Sequence, residues 1–166
     1  LVFELLDHED RADWRMVEVS VEPGVSAIQA AAARAGAPIG HDFCLLSLSD
    51  LLTPRDVVLK RIAAAGEGDF VIGFYNPVSL RRRDLLAEAR DILLQHRPAN
   101  TPVILARNLG RDGESITIVD LAELTPDMAD MLTLVLVGNS ESRRLSHDRR
   151  DWVYTPRGYG DKWKRG

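Results

Sequence analysis

The chain has 166 residues, 45% of them hydrophobic and 28% charged, which suits one globular domain or two small ones and excludes a disordered tail, a collagen and a simple coiled coil. With 21 basic and 25 acidic side chains the net charge is −4, so nothing global calls for a nucleic acid or an anionic membrane surface. No run of 18 apolar residues offers a transmembrane helix, and a single cysteine, Cys44, excludes an internal disulfide.

The chain opens at Leu1 inside an apolar run that reads as the end of a helix, so residues upstream of Leu1 are expected. Residues 16–21 alternate apolar and polar, the period of a strand, until Pro23-Gly24 breaks it. Ser26 is a good N-cap for an Ala-rich helix over 27–35, and Gly36 ends it. A short strand at 44–48 holds Cys44, which reads as a small core hydrophobe. Thr53-Pro54 opens the next helix, with Pro54 in its first position. Residues 69–75 form an apolar strand suited to a sheet centre. A helix over 79–96 follows, with Leu85, Leu86, Ala89, Ile92 and Leu93 on one face. Strands at 102–107 and 115–119 flank a glycine-bearing loop, which is a hairpin spacing. Residues 120–124 allow a turn or two of helix, 131–137 are a strongly apolar strand, and a last strand is expected at 152–154.

This alternation predicts an α/β layered sheet, mixed but mostly parallel and flanked by helices. In such sheets ligands bind beyond the carboxyl ends of strands. The segments there are Pro23 to Ala27, Ser49-Asp50, Tyr75-Asn76-Pro77, Arg107 to Gly110 and Gly138 to Ser140. They are small, amide or hydroxyl residues, able to hydrogen-bond and admit a close backbone approach. Each alone is also adequate turn or cap chemistry; together they predict a cleft. There is no P-loop, nucleophile elbow or zinc motif, and the four histidines show no ligand spacing, so no metal is assigned.

Charge is uneven: residues 1–80 carry 6 basic and 12 acidic side chains, whereas 141–166 carry 8 and 4. Arg81 to Arg83, Arg143-Arg144 and Arg149-Arg150 are clusters, read as solvated faces or as sites for carboxylates.

Pro23-Gly24-Val25-Ser26-Ala27 resembles the opening of the second half of the tetrapyrrole (corrin/porphyrin) methylases. Gly40 to Cys44, Ser47 to Pro54, Phe74 to Pro77, Ala106 to Arg111, Gly113-Glu114, Val137 to Ser140 and Thr155 to Tyr159 resemble the branch that methylates carbon 17 of precorrin-3B. The likeness covers nearly the whole chain in family order. One departure is Arg55, where this branch often has tryptophan.

The resemblance implies a cobalamin-pathway enzyme of the cytoplasm that takes S-adenosylmethionine, releases S-adenosylhomocysteine, and contracts the precorrin ring. It implies two α/β domains with the cofactor between them, and a homodimer, without nucleic-acid or membrane partners. The corresponding division is 1–36 (end of the N-terminal domain and interdomain segment), 37–140 (C-terminal domain) and 141–166 (basic tail). Carried over by motif, the cofactor contacts are Ser26, Ala27, Tyr75, Asn76, Asn108, Leu109, Leu136 and Val137. Ser49, Asp50 and Arg111 face the macrocycle. His41, Asp42 and Asp50 qualify for proton movement by residue type only, so no catalytic acid or base is assigned. The family's Gly-rich first loop and Gly-Asp-Pro loop do not occur in these residues, so the 166 residues alone are expected to be a poor methyltransferase. The alternatives are the cobalt-containing counterpart of the same reaction, or a non-catalytic binding domain that kept the fold.

Overall fold

The computed structural model describes residues 1–9, 11–79, 83–147, 149–158 and 160. These form helices α1 (Val2–His8), α2 (Ala27–Ala35), α3 (Arg55–Glu67) and α4 (Asp84–Leu93). The strands are β1 (Gly36–Ala37), β2 (Phe43–Ser47), β3 (Val71–Tyr75), β4 (Pro102–Arg107), β5 (Ser115–Asp120), β6 (Thr133–Val137), β7 (Arg143–His147) and β8 (Arg150–Tyr154).

The main sheet has the order β2-β3-β6-β4-β5. The mixed sheet flanked by helices agrees with the sequence reading, but mostly parallel pairing does not. Only β2–β3 is parallel; β3–β6, β6–β4 and β4–β5 are antiparallel. The cause is β6, which enters between β3 and β4 from the opposite direction. It is reached through residues 121–132, which hold 3-10 turns at Leu121–Glu123 and Pro126–Met128. That stretch buries Leu121, Leu124 and Ala129 on the α3–α4 face of the sheet.

Strand alternation then builds two cores. Ile72, Phe74, Val103, Leu105, Val135 and Val137 face α3 and α4, whose Val58, Ile62, Leu85, Leu86 and Leu93 cover them. Val71, Ile104, Ala106, Leu134 and Leu136 face α2, which contributes Ile28, Ala31 and Ala35. Gly73 lies under α2: a Cβ there would meet Leu45 Cδ2 at 2.8 Å and Ile28 Cδ1 at 2.9 Å. Buried Arg97 ties the far end of the sheet, donating to the carbonyls of Gly138 and Phe70. Burial pushes the Cys44 thiol up in pKa, and the Arg97 charge partly opposes this.

Helix α2 is set by local chemistry. Ser26 and Gln29 form a reciprocal capping box, alanines supply propensity, and Gly36 leaves the helix at φ 130°. Gly36 then enters β1, which pairs with β8, and β8 pairs with β7 in a small second sheet. Helix α2 packs on the main sheet, and Gly36-Ala37 is paired with the hairpin after residue 141.

Several local expectations are corrected. Residues 17–25 form no strand, and Val17, Val19 and Val21 are exposed; an alternating pattern becomes a strand only beside a partner, and among the described residues it has none. Helix α4 starts at Asp84 rather than 79, because Arg83 is its N-cap and pairs with Asp127 at 2.7 Å. Pro54 is the N-cap of α3, one position before that expected. Strand β7 was not anticipated: all five of its residues are exposed, so it carries no apolar period. Arg81 and Arg82, Tyr159 and positions 161–166 of the basic stretch lie outside the described residues.

Candidate binding cleft at the strand ends

Strands β2, β3 and β4 run in one direction, so Ser47, Tyr75 and Arg107 end at one edge of the main sheet. A cleft of about 400 Å³ opens there, within the size range of small-molecule sites. The N-terminus of α2 forms one wall with Val25, Ser26, Ala27 and Ala30. The exits of β3 and β4 supply Tyr75, Asn76, Ala106, Asn108, Leu109 and Arg111, and the approach to β6 supplies Met131 to Leu134.

Seven of the expected site residues thus share one cleft: Ser26, Ala27, Tyr75, Asn76, Asn108, Leu109 and Arg111. They come from three chain segments that only the sheet unites. Asn76 and Asn108 sit at φ 51° and 53°, a region asparagine tolerates better than most residues. There each turns the chain sharply as its strand ends. The Asn76 amide donates to Ser47 Oγ at 3.1 Å, and the Asn108 amide closes its own loop onto the Asp112 carbonyl.

Leu136 and Val137 are not in the cleft. Both are fully buried, and Val137 faces the α3–α4 side. Because β6 is antiparallel to β3 and β4, its amino end reaches the cleft and its carboxyl end lies opposite. Thr133 and Leu134 take the place expected of the later pair. Ser49 and Asp50 follow β2 at the same edge but outside the cleft, and Asp50 approaches Arg55 at 3.6 Å. Arg55 also pairs with Asp84 at 2.7 Å and with Glu88, linking α3 to α4. His41 and Asp42 precede β2, at the end of the sheet away from the cleft.

Two carboxylates brace the rim. Glu114 accepts the Gly110 N–H at 2.6 Å with one oxygen and Arg34 Nε at 2.7 Å with the other, and these bonds hold its pKa below the usual value. Asp130 accepts the Thr133 hydroxyl at 2.7 Å and Arg107 Nε at 2.7 Å, and is likewise held low, chiefly by Thr133. Neither brace was read from the sequence, since Arg34 and Arg107 are distant in the chain and Thr133 sits inside an apolar run. Among the described residues no group of three His, Cys, Asp or Glu side chains converges on a metal position, and no helix is long and apolar enough to cross a membrane.

The cleft suits a mixed ligand. Two asparagine amides, the Ser26 cap and free N–H groups at the α2 terminus offer hydrogen bonds, and Leu109, Met131, Leu132 and Leu134 offer apolar surface. Among the described residues its lining holds no carboxylate, histidine, lysine or thiol, so it is built to hold and orient rather than to move protons.

Comparison with known proteins identifies the family. The chain is 47% identical over 149 residues to precorrin-3B C(17)-methyltransferase of Sinorhizobium sp, matching 89% of this chain and 59% of that one. It is 47% identical over 143 residues to a probable cobalt-factor III C(17)-methyltransferase of Salmonella typhimurium, 86% of this chain and 58% of that one. The crystal structure of the methyltransferase CobJ superposes with a TM-score of 0.82 at 41% identity, over 93% of this chain and 62% of that one. The chain spans about three-fifths of the length of each. Residues 2–125 match the family model for Tetrapyrrole (Corrin/Porphyrin) Methylases, and with these relatives the match shows that the chain belongs to that family.

Proposed function

We propose that this chain forms the cofactor-holding part of a methyltransferase that uses S-adenosylmethionine to methylate carbon 17 of a precorrin-type tetrapyrrole in cobalamin biosynthesis. The observation that carries the reading is the cleft itself: Ser26, Ala27, Tyr75, Asn76, Asn108 and Leu109 converge at the strand ends of a chain 47% identical to precorrin-3B C(17)-methyltransferase. The cofactor's chemistry fits the donor set. Its amino-acid end needs hydrogen-bond partners, which the α2 terminus and the two asparagines offer. Its adenine needs apolar walls, which Leu109, Met131 and Leu132 offer.

When bound, S-adenosylmethionine supplies an already activated methyl group. The chain's own part is then alignment: holding donor and acceptor at reacting distance is worth about 7–11 kcal/mol in favourable cases. Nothing in the cleft needs to move a proton for that role. Arg111, on the exposed rim, meets a carboxylate side chain of the macrocycle. Ser49 and Asp50, at the same edge, face the substrate rather than the cofactor. The Salmonella typhimurium relative, as similar as the precorrin enzyme, favours a cobalt-bearing substrate as the second reading. In both readings the protein works in the cytoplasm as a homodimer, as the family resemblance implies.

Calorimetric titration of S-adenosylhomocysteine tests the proposal. One-site binding that weakens on Asn76→Ala or Leu109→Ala supports it; binding unaffected by either substitution refutes the assigned cleft. Turnover of metal-free against cobalt-bearing precorrin separates the two substrates.

A further inference from the structure

Glu114 stands at a junction between the 108–114 loop and α2. Its two oxygens reach the two elements that flank the cleft, from outside its lining: one holds Gly110 N–H in the 108–114 loop, and the other holds Arg34 in the last turn of α2. The Gly110 loop carries Asn108, Leu109 and Arg111 on the cleft side, and α2 carries Ser26 and Ala27 at its opposite end. Besides this carboxylate, Leu109 packs on the apolar cluster that holds Ile28, Ala31 and Ala35 of α2, and Asn108 N–H donates to the Leu132 carbonyl at 3.0 Å, so Glu114 is the polar tie of the loop's far side. Asn108, Gly110 and Gly113 all have positive φ, and the bonds Arg111 N–H to Asn108 O and Glu114 N–H to Arg111 O are internal to it. The Arg34 carbonyl also accepts Arg150 Nη2 from the start of β8, so the helix end is held from a third element.

From this geometry we propose that Glu114 is a positioning residue: it latches the 108–114 loop to α2, so that the loop and helix walls keep one spacing for the cofactor. The inference rests on the cofactor reading above. An isolated exposed ion pair would contribute little. Here the carboxylate also takes a backbone donor, and the partners lie 80 residues apart in sequence, so one side chain closes a long connection.

The test measures S-adenosylhomocysteine affinity together with amide exchange at Gly110, in wild type, Glu114→Ala, Glu114→Gln, Arg34→Met and the double variant Glu114→Ala/Arg34→Met. Arg11→Ala, which breaks an exposed pair with Asp13 in the segment before α2, is the control. Removal of Glu114 should weaken binding by about tenfold, the scale of one charge-assisted hydrogen bond. It should also speed Gly110 exchange while the melting temperature stays near wild type. The double variant should bind no worse than Glu114→Ala, and Glu114→Gln, which keeps an acceptor but not the charge, should fall between. Wild-type affinity in Glu114→Ala, or unchanged Gly110 protection, overturns the latch. If wild type itself does not bind, the cofactor reading fails and takes the binding role with it, whereas lost Gly110 protection in Glu114→Ala would still establish the loop contact.

Discussion

Replacing Gly73 with alanine connects packing to the cleft. The new Cβ would stand 2.8 Å from Leu45 Cδ2 and 2.9 Å from Ile28 Cδ1, closer than side chains approach. The two neighbours differ in freedom. Leu45 is 43% exposed and can swing outward, whereas Ile28 is 1% exposed and is fixed between α2 and the sheet. The strain therefore falls on Ile28 and lifts α2. Overpacking of this kind costs about 1–3 kcal/mol, and the lower unfolded-chain entropy of alanine returns about 0.5–1 kcal/mol. The net expectation is a loss of about 1 kcal/mol, or roughly 2–4 °C in melting temperature for a chain of this size. Urea unfolding at constant m-value measures it. The diagnostic companion is Ile28→Val, which removes the offending methyl. Alone it should cost about 0.5–1.5 kcal/mol, and combined with Gly73→Ala it should cost less than the two separately. Stability of Gly73→Ala equal to wild type, or strict additivity in the double variant, would refute the account of how α2 is seated.

Leu86→Ala, at a fully buried position of α4, should destabilise by about 2–5 kcal/mol, whereas Leu52→Ser, at an almost fully exposed one, should stay within about 0.5 kcal/mol in the same unfolding assay. Arg97→Met should cost about 2–4 kcal/mol by leaving the Gly138 and Phe70 carbonyls without their guanidinium donor, and Arg97→Lys should not restore both bonds. Asn76→Gly, which keeps the left-handed backbone but removes the amide, should leave the melting temperature near wild type and weaken S-adenosylhomocysteine binding; Asn76→Val should lose stability as well. The depressed pKa of Asp130 means that its contribution is present above the usual carboxylate range and fades as pH falls through its lower folded value. Asp130→Asn should therefore flatten the acid limb of stability below about pH 4, by a modest amount because the group is partly exposed.

The features legible from the sequence were those whose cause is local. The α2 cap, the Gly36 stop, the 102–107 strand and the glycine-bearing loop after it each follow from a few adjacent residues. Tyr75, Asn76, Asn108 and Leu109 were legible at strand exits that asparagine and glycine mark, Ser26 and Ala27 at a helix cap, and the family resemblance named them as a set; Arg111 followed from its place in the loop beside them. Leu136 and Val137, carried over by motif, lie in the sheet core, and the Gly138 to Ser140 segment named by the carboxyl-end rule lies at the opposite end, because an apolar run does not tell its direction in the sheet. The strand expected at 16–21 failed for a related reason, since alternation describes a face but not a partner. Strand β7 left no trace because pairing with β8 is a backbone matter and its side chains all meet solvent. The Arg34–Glu114 and Arg107–Asp130 pairs join groups that only the finished fold brings near.

The placement of β6 also governs the order in which the protein can be made. β3 and β4 never touch, and each is completed only by residues 133–137. While the ribosome is still translating earlier codons, β2–β3 and β4–β5 can exist only as separate two-stranded pieces with open inner edges. Long-range closure of this kind is slow and leaves apolar edges uncovered until it occurs. Nascent chains stalled before residue 133 should therefore stay protease-sensitive and bind chaperones, and protection should arrive in a single step once β6 has cleared the exit tunnel.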